Sequence, residues 1–318
     1  MIFSVFEALA DAARQGEKVS LGIISRVKGS SPQKIGAKAL FYCDGRINGT
    51  LGGGCLEAEI QQRALRSLQT GEPATFDLVL DHDFGWDDGL ICGGKVSGVI
   101  LPNAQEAGEN FWNHLAARKS HQTWGVKKNF AISLADGRSE SSLAAADWRY
   151  VETVSPPCAL WIAGAGHVSQ AVAPLAAQLD FAVTVFDDRP ALANRQFFHE
   201  GISLKVGAWE KLSPDVIFPT PAFGLIVTRG HRHDALVLKD WIKKDFCFLG
   251  MIGSARKAKI IFDHFRVEKI ATEEQLQRVA CPVGIEIKSQ SVPEIAVSIM
   301  AQFIEKRAEL FSRCQDNP

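Results

Sequence analysis

The 318-residue chain has no apolar run near the roughly 20 residues that a membrane-spanning helix requires. It also lacks any charge excess. With 35 Lys and Arg against 36 Asp and Glu, the formal net charge is −1, which removes a whole-chain electrostatic argument for a nucleic-acid or anionic-membrane partner. Seven cysteines (Cys43, Cys55, Cys92, Cys158, Cys247, Cys281 and Cys314) include no Cys-x-x-Cys pair, and no two histidines have zinc-finger spacing. An odd count without those spacings argues against a disulfide framework and against a closed structural zinc site, and for a reduced, cytoplasmic protein. The start, Met1 to Ala10, lacks a basic segment and is followed by Asp11. With Glu7 inside it, this stretch reads as an amphipathic helix rather than a signal peptide. No internal repeat and no low-complexity tract interrupts the chain.

What is present is an ordinary globular composition, 46% hydrophobic and 22% charged, at a length that suits two domains. The first half mixes a helix over 3–15 with β-like runs at 19–27, 37–42, 74–80 and 95–101, and a helix over 56–68. This pattern predicts an α+β domain. A helical piece at 109–118 and strand-like pieces at 127–134 and 148–154 complete it. Ser155-Pro156-Pro157 breaks the pattern, because tandem prolines resist both helix and central strand. The expected domains are therefore 1–155 and 156–318.

After the prolines, apolar runs at 159–163, 181–186, 223–228 and 246–251 alternate with helical stretches, and a long helix over 291–309 closes the chain. Such alternation predicts a Rossmann-like, doubly wound parallel sheet covered on both faces. Gly164 and Gly166 lie directly after the first of these strands and before a helix. There Gly164 permits a tight turn, Gly166 admits a pyrophosphate to the backbone, and the helix start offers amide donors. Ser169 stands where the fingerprint has its third glycine, and His167 sits inside the loop. Asp187, 23 residues beyond Gly164 at the end of the next strand, has the spacing of a carboxylate that binds ribose hydroxyls. Arg189 raises the alternative of a 2′-phosphate. The run Thr228 to Asp234 ends a strand and opens a helix. Its His231, His233 and Asp234 lack a third remote metal ligand, so helix capping is the expected role of Asp234. Gly250 to Arg256 repeats the strand–glycine–helix arrangement, with Ser254 as an N-cap.

The first half carries its own glycine cluster. Gly52, Gly53 and Gly54 are consecutive and cost conformational entropy, which suggests close approach of backbone to another group. Cys55 follows at a helix start, where the dipole favours a thiolate. Cys92 and Gly93 form a second cysteine–glycine cluster before a strand. Two readings stay open for Cys55 and Cys92: contact with a soft metal or sulfur-containing ligand, or small buried side chains beside tight turns.

Taken in order, these motifs resemble the xanthine dehydrogenase accessory protein family (XdhC/CoxI type). The resemblance rests on GSSPQKIGAKAL at 29–40, GTLGGGCLEAEI at 49–60, CGGKV at 92–96, WIAGAGHVS at 161–169, VTVFDDRP at 183–190, TRGHRHD at 228–234, GMIGSARK at 250–257 and CPVGIEIKSQSVPEIAVSI at 281–299. It implies a homodimeric, cytoplasmic accessory factor that binds the molybdenum cofactor, as a pterin or its dinucleotide form. It further implies sulfuration with a cysteine desulfurase partner and delivery to a xanthine dehydrogenase-type apo-enzyme. On this expectation the cofactor contacts are Gly164, Gly166, His167, Ser169 and Asp187 in the second half, and Gly52, Gly53, Gly54, Cys55, Cys92 and Gly93 in the first. Cys55 and Cys92 are then the candidates for the molybdenum or sulfur end. The competing reading is an NAD(P)-dependent oxidoreductase, for which His231 or His233 would supply the acid or base.

Overall fold

Ser4 starts the first helix: its hydroxyl accepts from the Glu7 N–H, and the Glu7 carboxylate accepts from the Ser4 N–H. In the computed structural model, which describes residues 4–31, 33–80, 94–135, 147–212, 218 and 221–315, this helix spans Val5–Gln15. It ends at Gly16 in the left-handed conformation. The chain divides into two compact units, Met1–Pro156 and Pro157–Pro318. Among the described residues no helix is long and apolar enough to cross a membrane.

The first unit is built on a five-stranded antiparallel sheet, β3-β2-β1-β5-β4, from β1 (Val19–Lys28), β2 (Lys38–Tyr42), β3 (Ile47–Gly49), β4 (Ala74–Leu80) and β5 (Gly94–Leu101). Side chains alternate across it as the two-residue period of a strand demands. Leu21, Ile23, Leu40, Tyr42, Val99 and Leu101 pack with the first helix and with Trp112 and Trp124. Phe41, Val96 and Ile100 face the other way, onto Leu56, Ile60 and Ala64 of the helix Gly54–Thr70. A smaller sheet, β7-β6-β8, adds β6 (Gln122–Lys127), β7 (Ile132–Leu134) and β8 (Trp148–Val154). The expected strand over 127–134 is interrupted: Lys127 ends β6, Ile132–Leu134 form β7, and residues 128–131 make the hairpin turn between them. Phe130 adopts φ +67° there, and Asn129 Oδ1 accepts from the Ala131 N–H at 3.1 Å, closing the turn with a side chain.

Lys38 links the two sheets. Its ammonium donates to Glu152 Oε2 at 2.6 Å and to the Gly36 carbonyl at 2.7 Å, with the rings of Phe6, Trp124 and Tyr150 within 5.8 Å. Trp124 Nε1 donates to the other carboxylate oxygen at 2.7 Å. The pair is largely withdrawn from water, at 10% and 21% side-chain exposure. Burial holds the Lys38 ammonium below the ordinary lysine range, opposed by the charge and hydrogen bond of Glu152. The unfolded chain therefore keeps this proton to higher pH than the folded one, and the group's contribution to stability rises as the pH climbs toward about 10.4. Lys38→Met alone should lower the unfolding free energy by about 3 kcal/mol, since it strands a carboxylate in an apolar layer, and adding Glu152→Gln should recover most of that loss. Urea unfolding of the single and double variants checks this. Equal losses in both would show that the stranded charge is not the cause.

The second unit is a six-stranded, wholly parallel sheet in the order β11-β10-β9-β12-β13-β14. Its strands are β9 (Cys158–Ala163), β10 (Phe181–Asp187), β11 (Ser203–Val206), β12 (Ala222–Ile226), β13 (Phe248–Met251) and β14 (Val279–Ala280). One face packs against the helices His167–Gln178 and Val292–Gln315 through Leu160, Ile162, Val185, Val172, Ile299 and Phe303. The other packs Trp161, Phe186 and Ile226 against Leu238 and Trp241 of the helix His231–Trp241 and Phe265 of the helix Ala255–Val267. The chain runs outward from β9 to β11, then returns to lay β12 on the opposite side of β9. This reversal places a crevice between the carboxyl ends of β9 and β12, where ligands bind in open α/β sheets.

Candidate functional site

The turn after β9 is fixed by its neighbours on both sides. Gly164 donates its N–H to the Phe186 carbonyl at 2.7 Å, and a Cβ on Gly164 would lie 2.3 Å from the Val227 carbonyl oxygen. Only glycine fits, and its φ of +113° says the same. Gly166 is different. It is the N-cap of the helix His167–Gln178 at φ −76°, takes no side-chain cap, and a Cβ there would meet nothing within 4 Å. This helix start thus has no side-chain cap and open space beside Gly166, the arrangement that receives a phosphate.

His167 is exposed at the first helical position. Ser169 is wholly buried on the helix face that meets the sheet, and its hydroxyl finds no hydrogen-bond partner among the described residues. Asp187 is also wholly buried. Its Oδ2 accepts from the Ala165 N–H at 2.6 Å and from Arg189 Nη2 at 2.8 Å, while Oδ1 accepts from the Arg189 N–H and Nε at 2.9 and 2.8 Å. Four donors fill the carboxylate, so here it organises the turn. A ribose would have to displace Arg189 to reach it.

The loops beside this turn are tied together by ion pairs that span the strand order. Arg229, just past β12, makes a bidentate pair with Asp188, just past β10, at 3.1 and 2.8 Å. Arginine can only donate, so the 2.9 Å contact of Arg229 Nη2 with His233 makes that imidazole nitrogen an acceptor. Asp234 is wholly buried, but it does not take the helix-capping role expected of it. The N-cap is Gly230, and Asp234 Oδ1 instead accepts from the Thr228 N–H and hydroxyl at 3.1 and 2.6 Å. Its other oxygen holds the Lys257 ammonium, which also donates to the Ile252 carbonyl at 2.9 Å. Ser254 is the N-cap of the helix Ala255–Val267. Half-buried Cys281 follows β14 beside Gly253; burial pushes its thiol up, with Lys257 pulling it down and Asp234 raising it. Among the described residues no group of three or more His, Cys, Asp and Glu is placed to hold a metal ion. Sequence reasoning missed Asp188, Arg229 and Lys257 as site residues, although the position of each past a strand end was a usable signal.

In the first unit, Gly52, Gly53 and Gly54 all have positive φ, at +118°, +71° and +58°, so the run is demanded by the backbone. Glu57 holds the turn from inside the helix, its Oε2 accepting from the Leu51 N–H at 2.7 Å and the Thr50 hydroxyl at 2.8 Å. Gly53 is the N-cap without a side-chain cap, which leaves Cys55 exposed in the first turn of the helix Gly54–Thr70. Open space surrounds the Cβ positions of Gly53 and Gly54. Cys92 and Gly93 lie outside the described residues. The neighbouring Gly94 is packed against the loop after β1, since a Cβ there would meet the Ser30 carbonyl oxygen at 1.9 Å.

Comparison with known proteins agrees with this architecture. The "XdhC Rossmann domain" family matches residues 160–303, and the "XdhC and CoxI family" matches residues 12–79. The chain is 26% identical to a probable xanthine dehydrogenase subunit of Bacillus subtilis (strain 168), over 95% of this chain and 97% of that protein. It is 22% identical to the "Molybdenum cofactor insertion chaperone PaoD" of Escherichia coli (strain K12), over 96% and 88%. A solved Bacillus halodurans structure described as a xanthine dehydrogenase shares the fold, with a TM-score of 0.78 and 24% identity over 96% of both chains. Both glycine-bearing turns fall within the matched segments, one in each, and the chain belongs to the XdhC family.

Proposed function

We propose that this chain is a molybdenum-cofactor chaperone. On this reading it binds the cofactor as cargo, assists its sulfuration by a cysteine desulfurase, and delivers it to a xanthine dehydrogenase-type molybdenum hydroxylase, working as a cytoplasmic homodimer. The observation that carries the reading is the open helix start at Gly166, set among arginines at the switch point of the sheet. An anionic pterin carries a phosphate or pyrophosphate that suits these amides and guanidinium groups. The resemblance assigns its sulfur-rich metal end to Cys55, an exposed thiol in the first turn of its helix. The resemblance assigns Cys92 and Gly93 to the same end. The Escherichia coli relative is named a molybdenum cofactor insertion chaperone, and the Bacillus subtilis relative's name ties it to a xanthine dehydrogenase. An NAD(P)-dependent oxidoreductase draws less support, because the carboxylate expected to hold the ribose is filled by Ala165 and Arg189.

The test is the ligand released from protein co-produced with an active molybdenum-cofactor pathway, identified by mass spectrometry and oxidised-pterin fluorescence. Near-stoichiometric pterin is expected, and NAD(P) in its place would overturn the reading. Cys55→Ala should lower cofactor retention by at least about tenfold, the scale on which lost support for a bound metal is felt. Full retention and transfer in both Cys55→Ala and Cys92→Ala would remove the thiols from the mechanism.

A further inference from the structure

Three cations at the carboxyl edge of the second unit hold carboxylates of the same edge, and they differ in how firmly they are committed. Arg189 is bound to Asp187 and Lys257 to Asp234, both partners being wholly buried, so releasing either cation would strand a charge without water. Arg229 is bound to Asp188, whose side chain is 23% exposed, and is itself 40% exposed. Its pair can open to solvent at little cost. It also has a distinctive path. Asp188 follows β10, Arg229 follows β12, and β9 lies between those strands, so the pair arches past the loop that carries Gly164 and Gly166. A phosphate seated on the open helix start at Gly166 would meet this arch. Beside it lies a second uncapped helix start at Gly230, the residue after Arg229.

We propose that Arg229 is the side chain that recognises the phosphate or pyrophosphate of the bound ligand, and that Asp188 is its internal competitor. The proposal rests on the nucleotide-like site described above. When the crevice holds no anion, Asp188 takes a hydrogen bond from each terminal nitrogen of the guanidinium and presents a negative charge to an arriving phosphate. On binding, the planar guanidinium exchanges one bidentate acceptor for another, which its fork geometry permits without loss of hydrogen bonds. The chain thereby avoids leaving a bare arginine over an anion site, and a ligand without a phosphate gains nothing from the exchange. Affinity is thus tuned by a carboxylate that need not touch the ligand.

Calorimetric titration of the full chain with ADP as the probe, at low salt, tests this. Asp188→Asn should tighten binding about two- to fivefold, the range a partly exposed pair can withhold. Arg229→Ala should weaken it on the order of tenfold or more. The double variant should bind like Arg229→Ala, since Asp188 acts through that side chain. Asp188→Ser serves as a second removal of the charge, and thermal melting confirms folding of each variant. Unchanged ADP affinity in Asp188→Asn overturns the competitor role, and so does equal tightening in the Arg229→Ala background, which would mark plain repulsion. If neither wild type nor Asp188→Asn binds ADP, both the competitor role and the nucleotide-like site fall. The predicted pattern in a protein that retains no pterin would leave the competitor intact and remove the cofactor reading alone.

Discussion

Gly164→Ala should be among the most damaging single-methyl additions in the second unit, lowering its unfolding free energy by about 3–5 kcal/mol and its Tm by about 10 °C. The added Cβ would sit 2.3 Å from the Val227 carbonyl oxygen, 2.8 Å from its carbon and 3.0 Å from Thr228 Cα. All three are backbone atoms that cannot rotate aside. Relief would require β9 and β12 to separate where the Val227 N–H meets the Ala163 carbonyl at 2.8 Å, and φ +113° is strained for any residue with a Cβ. Gly166→Ala is the control. Its Cβ points into open space at φ −76°, so stability should stay within about 1 kcal/mol, the usual scale for a changed N-cap. The methyl would nevertheless occupy the approach to the helix amides, and ADP binding should weaken. Thermal unfolding and calorimetry on the two variants separate a glycine that the fold needs from one that a ligand needs. Gly164→Ala with a wild-type Tm would contradict the steric argument.

That contrast shows what kind of information the sequence carries. The strand–glycine–helix arrangement at 160–169 is local: apolar run, two glycines, then helical periodicity, all within ten residues. The triple glycine at 52–54 is legible for the same reason, and all three residues adopt positive φ. The turn inside 127–134 was not legible, because Phe130 is a bulky apolar residue in a left-handed conformation and continues the apolar character of Val126 and Ile132. Turn chemistry there resides in Asn129, whose side chain was easily read as a polar position on a strand.

The site's electrostatics were hidden for a different reason. Asp188 and Arg229 are 41 residues apart, Asp234 and Lys257 are 23 apart, and Lys38 and Glu152 are 114 apart. Each meeting depends on strand order or on packing of one sheet against another, which no local pattern encodes. Asp187 illustrates the limit from the other side. Its spacing from Gly164 correctly placed it at the end of β10, but its partners are the neighbouring Arg189 and the turn amide of Ala165. Position was readable, and hydrogen-bonding commitment was not. Asp234 is similar, since an acid in a first helical turn looks like a cap until the fold turns Thr228 back onto it.

Asp187→Asn should destabilise the second unit by about 3 kcal/mol, the loss expected when one partner of a buried pair is removed, at the lower end because Arg189 keeps some access to water. The carboxylate presents acceptors on both oxygens to four N–H donors, from Ala165 and Arg189. An asparagine amide offers one acceptor oxygen, and turns its own donors toward N–H groups on the other side. The pH dependence separates this account from simple misfit. Burial by itself would push the Asp187 carboxyl up, but the Arg189 side chain, the Ala165 and Arg189 N–H groups and the guanidinium charge outweigh it and hold the carboxyl below the usual range. A depressed folded pKa contributes stability that is complete above the unfolded value of about 3.9 and is lost as the pH falls through the folded value. The gap between wild type and Asp187→Asn, read from urea unfolding, should therefore stay constant from about pH 5 to 8 and narrow below about pH 4. A gap that keeps its full size in acid would mean that asparagine fails by shape alone. In that case the turn would be held by packing around Gly164, and the Asp187 charge would be available for a ligand.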